Sequence, residues 1–174
     1  DTFEIEKGTI QCYTERFDNG DYLAFFRSPF NSKNNLTYLH NVYHENMKKY
    51  FNFGKYIIAV NMIGTDFQDR NNGSDQDSDS GYATNQADIV EHARKCYIKY
   101  PTIVNNIPKD SNKYDNTMDD YAKIDNNLAG SQRDIGESSN IAQIAQTYAC
   151  NFNDTKYTDY VCILSVLAQC AIDN

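Results

Sequence analysis

The chain is expected to be an α+β protein, β-rich in its first eighty residues and helical after them. Three observations predict this. Short runs rich in β-branched and aromatic residues recur up to residue 64. Apolar residues return at helical spacing from residue 85 onward. Between the two patterns lies a polar, turn-forming segment, 65–82. The expected organisation is residues 1–84 as the β part and residues 85–174 as a mainly helical extension packed on it in one compact unit.

In chain order, "TIQCYT" (9–14) and "DYLAFFR" (21–27) read as strands separated by the turn Asp18-Asn19-Gly20. "NNLTYLHNVY" (34–43) is a weaker strand. "KYIIAVNMIG" (55–64) is the strongest; apolar on both faces, it is expected to be central and part of the core. In "NQADIVEHARKCY" (85–97), Asn85 is the expected N-cap, Asp88 suits the helix dipole, and Ile89, Val90, Ala93, Cys96 and Tyr97 form one stripe. Pro101 and Pro108 break that helix, and 105–135 is polar and expected to be loop-rich. "NIAQIAQTYA" (140–149) reads as a separate helix capped by Asn140, with Gln143 answering at N3. Glu137-Ser138-Ser139-Asn140 belongs to that cap, and "QTYACNF" is expected in the core. "TDYVCILSVLAQCAID" (158–173) is apolar nearly all round and is expected to be buried.

The 174 residues suffice for one domain with a real core or two small units. A formal charge of −8 argues against broad binding of a phosphate backbone, which needs clustered Lys and Arg. No run of 18 apolar residues occurs, so neither a membrane span nor a signal peptide is expected. The chain starts at Asp1 without Met and is expected to be a piece of a longer protein. Its five cysteines are odd in number and lack Cys-x-x-Cys spacing; Cys150, Cys162 and Cys170 are expected to be buried free thiols in a reducing compartment. Asn is so common that single Asn residues carry little weight.

The chemistry-bearing stretch is "NNGSDQDSDSGYAT" (71–84), with Asp75, Asp77 and Asp79 at alternate positions and Arg70 the only cation close in sequence. Three carboxylates held ~5 Å apart repel by ~3 kcal/mol per pair at an effective dielectric near 20. A flexible loop would splay to avoid that cost; a loop held straight after a central strand would not. A divalent cation would convert the repulsion into coordination, and oxygen-only ligands suit Mg²⁺, Mn²⁺ or Ca²⁺. Counted from Asp75, an EF-hand needs Gly at its sixth position and Glu at its twelfth; Ser80 and Gln86 stand there, so Mg²⁺ is the better candidate. A solvated acidic turn remains open, as does a cation-binding interaction module without catalysis. Asp66 and Asp69 read as ordinary loop charges. His40, His44 and His92 show no usable spacing.

Upstream, "FFRSPFN" places Arg27-Ser28-Pro29 directly after a strand, and the aspartates follow about fifty residues later. This order resembles the catalytic double-psi β-barrel of multisubunit and single-chain RNA polymerases, where an Arg-x-Pro turn precedes an Asp-x-Asp-Gly-Asp metal loop. Downstream, "IGESSNIAQIAQTYACNF…YTDYVCILSVLAQCAID", ending in Leu167-Ala168…Ala171-Ile172-Asp173, resembles the helical segment after that loop in the RNA-silencing polymerases and their phage relatives. The resemblance covers about residues 20–83 and 135–173. It implies that Asp75, Asp77 and Asp79 hold a catalytic Mg²⁺, that a second Mg²⁺ arrives with the nucleotide, and that Arg27 contacts the incoming ribose or the nascent RNA end. It also implies in-line attack of a 3′-hydroxyl on an α-phosphate, with no side-chain nucleophile. The implied partners are nucleoside triphosphates, a nucleic-acid template, nascent RNA and a second barrel of the same polypeptide that supplies a Lys. The isolated chain is then expected to be inactive. DNA is the expected template, and the cytoplasm of a bacterial or phage-infected cell the expected location. The chain departs from the pattern at Ser78, where the family has Gly, and at Gly73, where multisubunit enzymes have Asn; the family's final Asp is followed by Pro-Lys, and this sequence stops before reaching one.

Overall fold

The computed structural model describes residues 3–75, 79–104 and 113–172. Contacts divide the chain into two compact units, Asp1–Thr102 and Ile103–Asn174. The first is built on a curled five-stranded half-barrel sheet, and the mixed α+β class expected from the sequence is observed. The strands are β1 (Ile10–Tyr13), β2 (Tyr22–Arg27), β3 (Thr37–Asn41), β4 (Ala59–Val60) and β5 (Gly81–Thr84), in the order β4-β1-β3-β2-β5. β1 and β3 are parallel, with Ile10 opposite Leu39; all other neighbours are antiparallel. β1 and β2 therefore do not pair across the Asp18–Gly20 turn, because β3 lies between them. Asn41, at the end of β3, holds that connection: its amide donates to the carbonyls of Thr14 at 3.2 Å and of Phe17 and Asp18 at 3.0 Å.

The strand period of two sorts the core onto both faces of β2. Leu23 and Phe25 join Ile10, Cys12, Leu39 and Phe67 on one side. Ala24 and Phe26 join Tyr38 on the other, under Ala93 and Cys96 of helix α3 (Ala87–Lys99). α3, grouped on sequence with the helical half, thus packs in the first unit on β2 and β3. Of its expected apolar stripe Val90, Ala93, Cys96 and Tyr97 face the core, whereas Ile89 is exposed; its N-cap is Gln86 without a side-chain cap bond, and the Asn85 amide instead meets Asp21 at 3.1 Å.

Segment 55–64 departs most from expectation. Only Ala59 and Val60 form a strand, and β4 lies at the sheet edge rather than its centre. Ile58, Val60 and Met62 turn to the core, whereas Tyr56 is 90% exposed and Ile63 74%. An apolar run has no built-in statement of how many neighbours it acquires, so the segment flanking β4 keeps exposed apolar side chains. The aspartate loop does not follow a central strand directly. Helix α1 (Glu45–Tyr50) precedes β4; after β4 come helix α2 (Phe67–Arg70) and a buried turn at Asn71, Asn72 and Ser74, and then, beyond the aspartates, β5, which pattern reading passes over as loop.

The second unit is a helical hairpin. α4 runs unbroken over 35 residues, Met118–Phe152, and α5 spans Thr155–Ile172. Thr117 caps α4 by accepting the Asp120 amide, and Asn153 ends it in a left-handed conformation at φ 49°. Residues 118–135 are therefore helix rather than loop, and Glu137–Asn140 lie inside it rather than at a cap. The polar composition of 118–135 fits a helix whose surface is largely solvated. Small side chains make the close approach: Ala142 and Ala145 on α4, Val161, Ser165 and Ala168 on α5 are buried. Burial of α5 is one-sided, since Tyr160, Ile163 and Leu167 are exposed, and Tyr148, itself exposed, stacks on both Phe152 and Tyr157 rather than in a core. Cys150 is exposed and Cys162 and Cys170 are half-buried, contrary to their expected burial; Cys12 and Cys96 are the buried thiols.

Candidate functional site

Arg27 is the last residue of β2 and stands in register with Gly81, the first of β5. That pairing brings the residues before β5 to the Arg27 side chain. One guanidinium nitrogen of Arg27, Nη2, lies 2.6 Å from Asp79 Oδ1, joining positions 52 apart in sequence. The other, Nη1, donates to the carbonyls of Asn71 at 3.3 Å and Asn72 at 3.2 Å. The second oxygen of Asp79 accepts the backbone N–H of Asp75 at 3.0 Å. Asp75 is exposed, and Asp77 and Ser78 lie outside the described residues.

The two motifs singled out by sequence, Arg27-Ser28-Pro29 and the aspartates, are therefore one locus. The cation serving it is Arg27. Arg70, nearer in sequence, is buried and turned to α3: its guanidinium donates to the carbonyls of Asn34 and Tyr100 at 3.0 Å each and lies 4.5 Å over the Tyr97 ring. Asp66 accepts from Arg70, Tyr97 and Thr102 at that junction, which makes it part of the α2–α3 contact. Burial first, and then the Asp66 carboxylate, push the Tyr97 phenol above its ordinary pKa.

An asparagine cluster that sequence reasoning passes over builds the floor of the site. Asn35, next to β3, donates to Arg70 O and to Asn72 Oδ1, both at 2.9 Å. Asn72 donates to Pro29 O at 2.8 Å, and Asn71 to Thr37 Oγ1 at 3.0 Å and Phe67 O at 2.8 Å. Asn72 sits at φ 58°, a left-handed conformation that Asn tolerates better than most residues. The doublets Asn34-Asn35 and Asn71-Asn72 are the available signal, masked by how common Asn is in this chain.

Among the described residues no group of three or more His, Cys, Asp or Glu converges, and Asp77 is not among those residues. Asp75 and Asp79, linked through one hydrogen bond, offer hard oxygen donors, and Asp79 already accommodates a cationic group; this donor set fits Mg²⁺ better than a softer metal. The buried thiols are poor nucleophiles: desolvation pushes Cys12 up to about 12 and raises Cys96. His40 is paired with Glu6 at 2.8 Å and stacked on Tyr22, whereas His44 packs against Phe3, so the two do not form a ligand pair. No helix among the described residues is long and apolar enough to cross a membrane. Comparison with protein-family models, curated proteins and solved structures finds no match for this chain.

Proposed function

We propose that this chain carries the metal loop of a double-psi β-barrel and the following helices of a single-chain, phage-type RNA polymerase, with DNA as its template. The observation that carries the reading is the 2.6 Å pair between Arg27 and Asp79, which joins the Arg-x-Pro turn and the aspartate loop across the β2–β5 pairing. A mixed sheet with one parallel neighbour pair, curled into a half-barrel, supports the architecture but is shared by other folds.

In this reading Asp75, Asp77 and Asp79 would hold Mg²⁺, which supplies charge neutralisation and alignment for in-line nucleotidyl transfer. Arg27 orients the nucleotide ribose or the 3′ end of the RNA from the rim of the same loop. The carbonyls of Asn71 and Asn72 hold its guanidinium without consuming its charge. Nucleoside triphosphates, template and a second barrel with its Lys complete the site, so the isolated chain does not extend a primer.

The test is RNA synthesis by the full-length protein with Asp77→Ala, on DNA and on RNA templates. Synthesis on DNA is expected from the unaltered protein and none from the variant, with unfolding temperature unchanged or raised. Retained synthesis by the variant, or primer extension by this chain alone, overturns the proposal. Loss of a magnesium-dependent protein partner without any polymerisation would instead identify a cation-binding interaction module.

A further inference from the structure

We infer that Asn72 is a positioning residue that aims Arg27, an assignment that rests on the role of Arg27 proposed above. One residue grips the Arg27-Ser28-Pro29 turn at both ends. Its backbone carbonyl accepts from Arg27 Nη1 at 3.2 Å, and its side-chain amide donates to Pro29 O at 2.8 Å. Its remaining side-chain oxygen accepts from Asn35 at 2.9 Å, and Asn35 in turn is tied to Arg70 O at the end of α2. Asn72 is 5% exposed, so these bonds have little competition from water. Its left-handed backbone sets the direction of the carbonyl that meets the guanidinium.

The arrangement gives Arg27 two kinds of acceptor. Asp79 is a carboxylate that a cation would also use; the carbonyls of Asn71 and Asn72 are neutral and are not metal-loop carboxylates. Were Asp79 to hold a cation, the carbonyls of Asn71 and Asn72 would still hold the guanidinium in place and leave its positive charge for substrate. Without the Asn72 side chain the turn is held less firmly, and the backbone carbonyls of Asn71 and Asn72 that receive the Arg27 guanidinium are no longer fixed against it.

Two measurements test this. The first uses the isolated chain and the side-chain NMR signals of Arg27. In an Asp79→Asn background, where the ion pair is gone, rotation of the Arg27 guanidinium should remain slow. Adding Asn72→Gly, which keeps the left-handed backbone but removes both side-chain bonds, should make it fast. Equal rotation in the two proteins overturns the inference whatever the protein catalyses. The second uses RNA synthesis by the full-length protein. Asn72→Gly should raise the nucleotide KM about tenfold with kcat nearly unchanged, and should add nothing to KM in an Arg27→Ala background. The loss of unfolding temperature should be the same in both backgrounds. If Asn72→Gly fails to fold, Asn35→Ser removes the same Asn35–Asn72 bond and should raise KM in the same way. A KM effect that persists without Arg27 overturns the positioning role. Synthesis that survives Asp77→Ala would overturn the polymerase reading instead.

Discussion

Replacing Arg70 by Met should destabilise the first unit by about 4 kcal/mol. Arg70 is 3% exposed, so its charge is compensated by protein groups rather than water. Its two good bonds, to Asn34 O and Tyr100 O at 3.0 Å, are charge-assisted and contribute about 1.5–3 kcal/mol each. The contacts to Leu36 O at 3.5 Å and to Asp66 at 3.4 Å are long, and the Asp66 side chain is 37% exposed and can rehydrate, so neither adds much. The Tyr97 ring at 4.5 Å adds about 1 kcal/mol or more when desolvated. Met keeps the packing of the aliphatic stem and returns about 1–2 kcal/mol of apolar burial. With a urea dependence near 2 kcal/mol per M, the midpoint should fall by about 2 M. Arg70→Lys, which retains charge but not the fork that reaches two carbonyls, should lose about half as much. The chain has no Trp, so far-UV circular dichroism is the suitable probe. A midpoint within about 0.3 M of the parent would refute the reasoning, because it would mean that the guanidinium is hydrated.

Gly81→Ala should cost about 1–3 kcal/mol, because the Phe25 ring occupies the place of the new Cβ and is itself held against Phe67; an unchanged unfolding temperature would sink this. The Cys12 thiol, about 12 in the fold against 9.0 as an ordinary thiol, should make the first unit lose stability as pH rises from 9 towards 12. The sign follows because the raised folded value disfavours the thiolate, so the contribution is complete below pH 9 and lost above it, by at most about 1.4 kcal/mol per pH unit. Urea midpoints against pH should therefore fall less steeply for Cys12→Ala, and parallel curves would contradict the assignment. Under native conditions a thiol reagent should modify exposed Cys150 rapidly and leave Cys12 and Cys96 intact, as read by peptide mass; modification of Cys12 first would contradict its burial.

The positions of β1, β2 and β3 and the inner stripe of α3 are legible in sequence because each follows a local rule, strand-forming side chains or helical spacing. The same rules misplace segment 55–64. Its apolar side chains predict a central strand, yet centrality is a property of neighbours, and only Ala59 and Val60 find one. β5 is invisible for the converse reason: Gly81–Thr84 has little strand character of its own and is extended because it pairs with β2. Asn140 and Gln143 have the chemistry of a helix cap, but a continuous α4 satisfies their backbone groups internally and makes no use of it.

At the candidate site the sequence by itself marks Arg27 and the aspartate loop, since residue type and spacing are one-dimensional facts. It also determines the excess of negative charge and the absence of an EF-hand pattern. The tertiary structure alone decides which cation meets Asp79. Arg70 is close in sequence but is drawn into the core by carbonyls of 34 and 100, whereas Arg27 is distant and is delivered by the register of β2 with β5. The Asn35–Asn72–Pro29 chain of hydrogen bonds is likewise decided only in three dimensions. Its bonds join residues 37 and 43 positions apart, and no local pattern distinguishes these asparagines from the many that remain in solvent.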